Sequence, residues 1–393
     1  MSDDSSRRKP TVVFVDDERW ESFIELAAIL RRAEIRTVHI SVGPSRWCPE
    51  RLLFDRNVSL PSPPNPEQLA KLLWSEYVTD VQPTESLATT TYAALSLLPA
   101  EQRSDIWVGR SDFLDKWKVA HVLRDLGLRA PDTLLADATS PAEAIKKFSL
   151  PIVLKRRVSS SGAGVKIFHT LETLLTFFEQ IENLSEWFFE RYTQGRSFVC
   201  AGWVGDDGID VMATYETLKR IKQFGSSMVV EFQNDMGIVE TGKYLINSMG
   251  IRGFVCFDVI RDANGVDWIH DVNPRLFGSF STCQLFGFDF CNAYVDWLLG
   301  RGSTTPSQFE FYEARAFIFP FALKEVLQSG PSGASPLRAL HWAWMNWKFL
   351  GSRFFISLAI RGVVYAYMCT KQRLRSLRRT PSERKFNLLP PTM

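Results

Sequence analysis

Asp258, Asp271 and Asn273 are the residues whose types and spacing point most directly to chemistry. They lie in G-F-V-C-F-D-V-I-R-D-A-N-G-V-D-W-I-H-D-V-N-P-R (253–275), two β-rich runs flanking Asn264-Gly265. A two-residue type I′ turn needs positive φ at both positions, and Asn-Gly accepts it. With that turn, Ala263 pairs with Val266, and counting outward brings Asp258 directly opposite Asp271. Two carboxylates so placed, about 4.5–5.5 Å apart at Cβ, repel and weaken a hairpin. A divalent cation removes the objection. Magnesium takes a few carboxylates together with carbonyl, water and phosphate oxygens. Asp258, Asp271 and, by strand alternation, Asn273 offer that set on one face. A slipped register would instead leave the acids solvated at a strand edge.

The elements that must carry this hairpin alternate between strand and helix patterns. T-V-V-F-V (11–15), a helical pattern over 18–33 and an apolar run at 37–42 form a β-α-β opening, so the fold class is α/β with a Rossmann-like start. The turn Asp16-Asp17-Glu18 lacks the glycines that admit a pyrophosphate, and its acids repel phosphate, which excludes dinucleotide binding there. Prolines at 61, 63, 64 and 66 mark a loop, and helices are expected near 66–78 and 88–98, then over 115–128. Ser140-Pro141-Ala142-Glu143 is a capping box that starts another helix. A strand at 151–155, a small-residue loop at 156–164, a returning strand at 165–168, a helix over 171–183 and an extended segment at 187–192 follow.

Composition narrows the function classes. Lys and Arg number 46 and Asp and Glu 44, so the net charge of +2 argues against a dedicated nucleic-acid binder. The cysteines at 48, 200, 256, 283, 291 and 369 form no C-x-x-C pair, which speaks against zinc and for a reducing, cytoplasmic setting. No apolar run follows the charged N-terminus, so no signal peptide is expected. Aromatics crowd 341–369, and seven basic residues stand against Glu383 alone in 371–385. The run 354–369, interrupted by Arg361, is too short to span a bilayer. It reads either as a helical pair packed on the core or as peripheral contact with an anionic inner-membrane surface. Oligomeric state is not legible.

The tail of the acidic hairpin, D-V-N-P-R (271–275), resembles the E-x-N-P-R segment of ATP-grasp enzymes. Other parts of that superfamily follow in order over roughly 110–300. The resemblance implies an ATP-grasp fold with an N-terminal pre-ATP-grasp domain. It also implies ATP with magnesium, or manganese, on Asp258, Asp271 and Asn273, with Asp271 standing where the family has Glu. Lys116, in Asp115-Lys116 before a helix, would contact phosphate, and Lys155 would reach the α- and β-phosphates. Ser160, Ser161, Gly162 and Gly164 belong to the loop that closes over them. Glu190 in W-F-F-E-R-Y (187–192) would accept from the adenine amino group, with the backbone near Tyr192 at the ring edge. Ser197 stands where the family often has a ribose-binding Glu or His. Lys219, Arg220 and Lys222 are alternatives for a basic residue facing the γ-phosphate. Arg275 would steady the transferred phosphate or an anionic substrate. The implied activity is carboxylate–amine ligation of small-molecule substrates; the alternatives are a kinase or carboxylase of the same fold and a non-catalytic nucleotide-binding partner at a membrane surface. The expected divisions are an arm at 1–10, a pre-ATP-grasp domain at 11–109, a small lobe at 110–186, a large lobe at 187–305 and a helical, aromatic-rich extension at 306–393.

Overall fold

The computed structural model describes residues 9–17, 21–43, 53–100, 113–159, 162, 164–220, 225, 227–301, 314–318, 343–348, 350–352 and 356. Most of the 1–10 arm, Ser160, Ser161, Lys222, the aromatic run 357–369 and the basic tail lie outside them.

The first sheet is parallel, in the order β3-β2-β1-β4: β1 is Thr11–Asp16, β2 Arg36–Val42, β3 Arg56–Leu60 and β4 Asp80–Pro83. Every residue of β1 is buried, as a strand covered on both faces requires. Helix α1 (Glu21–Arg32) lies on one face, and α2 (Pro66–Glu76) and α3 (Glu85–Ser96) lie on the other. This is the β-α-β opening read from the sequence.

Helix α4 is Lys116–Asp125, capped by Asp115, whose carboxylate accepts from the Trp117 and Lys118 amides. A small antiparallel sheet follows in the order β5-β8-β6-β7: β5 is Thr133–Leu135, β6 Ile152–Arg156, β7 Val165–Phe168 and β8 Trp187–Arg191. Helices α5 (Pro141–Phe148), started by the expected capping box at Ser140, and α6 (Leu171–Phe178) close its apolar face. Strand β8 pairs with β5 and β6, so residues 187–191 join this small sheet, across the expected division at 186.

The large sheet has the order β13-β12-β9-β10-β11-β14. Its strands are β9 Gly195–Gly205, β10 Gly208–Arg220, β11 Ser227–Phe232, β12 Gly253–Asp262, β13 Asp267–Asn273 and β14 Ala314–Phe317. Strand β14 falls in the stretch expected to be a helical extension, and it extends the sheet edge through pairs such as Val229 with Phe317. Helix α7 (Met236–Met249) and α4 pack on one face, through Ile238, Leu245, Val119 and Leu123. Helices α8 (Phe280–Leu285) and α9 (Phe290–Leu298) cover the other. Val12, Phe14, Phe23 and Leu26 of the N-terminal region join the same apolar cluster as Val199, Trp203 and Tyr294. The N-terminal sheet and the large lobe therefore share one core rather than meeting as separate bodies. Among the described residues no helix is long and apolar enough to cross a membrane.

Candidate functional site

Two departures from the expected hairpin cancel. The Gly265 amide donates to the Asp262 carbonyl at 3.0 Å, and the Asp262 amide donates to Val266 at 2.9 Å, so the loop is three residues, Ala263–Gly265. Gly265 takes a positive φ of 77° while Asn264 does not, which is a type I turn closed by a left-handed glycine rather than the type I′ turn expected. Arg261 then pairs with Asp267 and Val259 with Ile269, one step off the predicted register. A bulge after Ile269 restores it, so that Asp258 faces Asp271, Phe257 faces Val272 and Cys256 faces Asn273. Ile269 and Val272 both enter the α4–α7 core. The two residues between them, His270 and Asp271, both turn to the opposite face, a re-aiming that bulges make possible.

Asp271 receives Lys116 Nζ on both oxygens, at 3.0 and 2.9 Å. Lys116 also donates to Glu85 at 3.2 Å. Arg275 donates to the other Glu85 oxygen at 3.1 and 2.8 Å and to Asn273 Oδ1 at 3.2 Å. On the far side, Arg220 donates to Ser197 Oγ at 2.7 Å and lies 3.8 Å from Asp258. Burial pulls Lys116 down, but Asp271 and Glu85 more than offset it and raise its ammonium well above the usual range. Burial pushes the Asp271 carboxyl up, yet the adjacent Lys116 charge holds it below its ordinary value. Asp258 behaves oppositely: burial, with the Asp271 charge acting the same way, raises it despite Arg220.

A second cluster lies at the seam between the small and large sheets. Lys155 Nζ, on β6, donates to Glu190 Oε2 at 2.8 Å and to the His270 carbonyl at 3.3 Å. His270 Nδ1 lies 2.9 Å from Glu190 Oε1. Burial alone would raise Glu190, but Lys155 and His270 bring its carboxyl below the usual range. The expected acceptor for adenine thus has both oxygens engaged within the protein. Its side chain is only 3% exposed.

The lid-like loop is rooted on the helix that carries Lys116. The Lys116 amide donates to the Arg157 carbonyl at 2.9 Å, and the Arg157 guanidinium grips Asp115 at 2.5–3.2 Å. Gly162 has a positive φ of 70°, and a Cβ at Gly164 would stand 2.5 Å from Ser159 Oγ, so small residues are required there. Tyr192 is half-buried just after β8 and Lys219 is exposed near the end of β10. The site thus gathers Lys116, Lys155, Arg220, Arg275, Asp258, Asp271 and Asn273. Glu85 and His270 were not singled out from the sequence. Glu85 follows the carboxyl end of β4 in a parallel sheet, where such sheets bind ligands, and that rule marks it. Nothing in the local sequence announces the bulge at His270.

Two carboxylates and an amide oxygen on one strand-pair face suit a hard cation whose remaining ligands are water and phosphate. Among the described residues no group of three or more His, Cys, Asp or Glu gathers as a metal cluster.

Residues 113–279 match the sequence model of the ATP-grasp domain family. No curated protein matches the chain. Among solved structures, it resembles the biotin carboxylase domain of Hydrogenobacter thermophilus 2-oxoglutarate carboxylase, in complex with MgADP, ADP and bicarbonate, at 15% identity and TM-score 0.62 over 77% of this chain and 72% of that one. It also resembles L-amino acid ligase from Bacillus licheniformis (17%, TM-score 0.58, 78% and 77%). A third is carboxyaminoimidazole ribonucleotide synthase from Aspergillus clavatus complexed with ATP (13%, TM-score 0.61, 76% and 79%). At such identities the likeness establishes the fold.

Proposed function

We propose that this chain, which carries an ATP-grasp domain over residues 113–279, is an ATP- and magnesium-dependent ligase that activates a carboxylate as an acylphosphate and joins it to an amine. The observation that carries the reading is the opposed pair Asp258 and Asp271, ringed by Lys116, Lys155, Arg220 and Arg275. Paired carboxylates amid cations suit a polyphosphate that brings a divalent ion with it. Asp258, Asp271 and Asn273 would hold magnesium, or manganese in its place, whose charge screens the phosphate oxygens. Lys116 and Lys155 would bind phosphate, the latter kept in place by Glu190. Gly162 and Gly164, with Ser160 and Ser161, would leave room for backbone amides to close over the phosphates. Tyr192 and Ser197 would border the nucleoside. Arg275 and Arg220, with Lys219 as the exposed alternative, would neutralise charge on the γ-phosphoryl group as the substrate carboxylate displaces ADP from it. An amine then displaces phosphate from the acyl carbon, forming the amide. Positioning and charge neutralisation do the work, so no side-chain nucleophile is needed.

The test is incubation with ATP, magnesium, hydroxylamine and pools of carboxylic acids. ADP release with hydroxamate formation is expected, and Asp271→Ala should abolish both. ADP release without hydroxamate from any acid would overturn the acylphosphate.

The likeness to the biotin carboxylase domain supports one alternative, in which bicarbonate is the acid activated. Bicarbonate-dependent ADP release would favour it. We further place the protein in the cytoplasm, with the basic 371–385 tail as a contact for anionic membrane surfaces. Equal pelleting on anionic liposomes of the whole chain and a chain ending near 335 would remove that contact.

A further inference from the structure

Away from the nucleotide site, a helix turns its large aromatic side chains outward. Residues 343–348 are helical, and the Gly351 amide continues the pattern by donating to the Trp347 carbonyl at 2.8 Å. Leu350 belongs to the apolar cluster that holds Phe23 and Leu26, and Asn346, four residues earlier, is also buried. That anchors one face of the helix. Arg32, at the end of α1, fixes its last turn by donating to the Lys348 carbonyl at 3.1 Å. Trp344, Trp347 and Lys348, spaced i, i+3 and i+4, therefore share the opposite face. The two tryptophans are 55% and 54% exposed, and Ile356 beyond them is 55% exposed. With Arg32 and Gly351 they line an open groove of about 540 Å³. Lys348 Nζ lies 5.8 Å from the centre of the Trp344 ring. An amphipathic helix of a water-soluble fold ordinarily buries such rings, and an exposed apolar patch bordered by charge marks a contact surface.

Charge selects what the surface contacts. Among the described residues the groove is lined by Arg32 and Lys348 and by no acid. From 343 to 393 the chain carries ten Lys and Arg against Glu383 alone. A second copy of this chain would present the same positive charge and be repelled. An anionic bilayer matches both halves of the face. Tryptophan rings settle at the headgroup level, while Lys and Arg lay their stems along apolar surface and put their charges among the headgroups. The placement also suits a working site. Helix α1 runs back from the carboxyl end of β1, so Arg32 lies at the amino edge of the parallel sheet, whereas Glu85 follows the carboxyl end of β4. Docking through Arg32 and the tryptophans leaves the nucleotide site turned away from the bilayer.

We propose that Trp344, Trp347, Lys348 and Arg32 form a docking face for an anionic lipid bilayer. This rests on the membrane contact inferred above for the basic tail, and it adds a folded face that fixes how the protein sits on the surface.

The test is co-sedimentation of the full chain with vesicles of phosphatidylcholine, alone or with phosphatidylserine, each carrying some brominated phosphatidylcholine to quench tryptophan. Wild-type protein should pellet with the phosphatidylserine vesicles, less so as salt rises, and its fluorescence should be quenched. Trp344→Ala combined with Trp347→Ala should bind at least about tenfold more weakly and lose quenching, because the apolar area that enters the bilayer is gone. Lys348→Gln should bind the phosphatidylserine vesicles about fivefold more weakly, the size of one interfacial charge, and carries the test should the tryptophan variant not fold. Wild-type protein that pellets while both variants pellet and quench as it does overturns this face and leaves the tail contact standing. Wild-type protein that binds the two vesicles alike overturns the anionic partner. Dimerisation in sedimentation velocity that the tryptophan variant abolishes assigns the face to a second copy and overturns the proposal. Wild-type protein that binds neither vesicle overturns the tail contact as well.

Discussion

Asp258 faces Asp271 across the β12–β13 ladder while His270, the residue just before Asp271, is bulged out of it. Were the ladder continued from Ile269 without a bulge, His270 would stand opposite Asp258 and Asp271 would turn into the α4–α7 core. The site is built on a local irregularity, and its electrostatics follow from the pair that results. Asp271 is compensated by Lys116, and Asp258, with Arg220 at 3.8 Å, is compensated less.

That asymmetry sets a pH dependence. Burial and the Asp271 charge raise the Asp258 carboxyl above its ordinary value, whereas Asp271 is lowered. Protons therefore compete with a cation at Asp258 first, while Asp271 is still ionised. Magnesium-dependent ATP affinity should be full above the raised Asp258 value and fall as pH drops through it, with one proton taken up per ion released. Calorimetry in buffers of different ionisation enthalpy reads that proton. Asp258→Asn should remove the proton uptake along with most of the magnesium dependence, without lowering Tm.

Glu190 links pH to folding stability rather than to cation affinity. Its folded value lies below the unfolded one, so the stabilisation it gives is complete above the ordinary carboxylate range, near 4. It is lost as pH falls through the lowered folded value. Glu190→Gln leaves Lys155 and His270 without their charged partner and should cost about 3 kcal/mol at neutral pH. The cost should shrink below about pH 4, where the wild type loses the same contribution. Urea denaturation at several pH values measures both, and a cost independent of pH would contradict the linkage.

Glu85 ties the N-terminal sheet to the site, since Lys116 and Arg275 both bond it. Its side chain is 6% exposed, so Glu85→Ala removes a buried partner from two cations. Breaking such a pair costs about 3–5 kcal/mol, and the chain should unfold at markedly lower denaturant. Glu85→Gln, which keeps hydrogen bonding without the charge, should recover part of the loss.

Gly242 in α7 separates two opposing effects. Alanine is favoured over glycine by about 1 kcal/mol in a helix interior. Here, however, a Cβ would press into the Phe257 ring and stand 2.8 Å from Met212 Cε and 3.1 Å from Cys200 Sγ. Overpacking a tight core costs about 1–3 kcal/mol, so Gly242→Ala should destabilise. A gain in Tm would show that the contact yields easily.

Local patterning by itself determined much of this protein. Alternation and turn residues placed the β-α-β opening and the acidic hairpin, and the capping box at Ser140 started α5 where the sequence required it. These features depend on neighbours a few residues apart, which a linear reading can see. The tertiary structure alone decided the rest. It brought Glu85 across 31 residues to Lys116 and 190 to Arg275, and His270 across 80 to Glu190. It placed β8 in the small sheet and added β14 to the large one. It also chose a glycine-closed three-residue loop and a compensating bulge over a two-residue turn. The reason is physical: those outcomes depend on which face of β13 must bury Ile269 and Val272, and on how two sheets meet, and neither is encoded within any one stretch of chain.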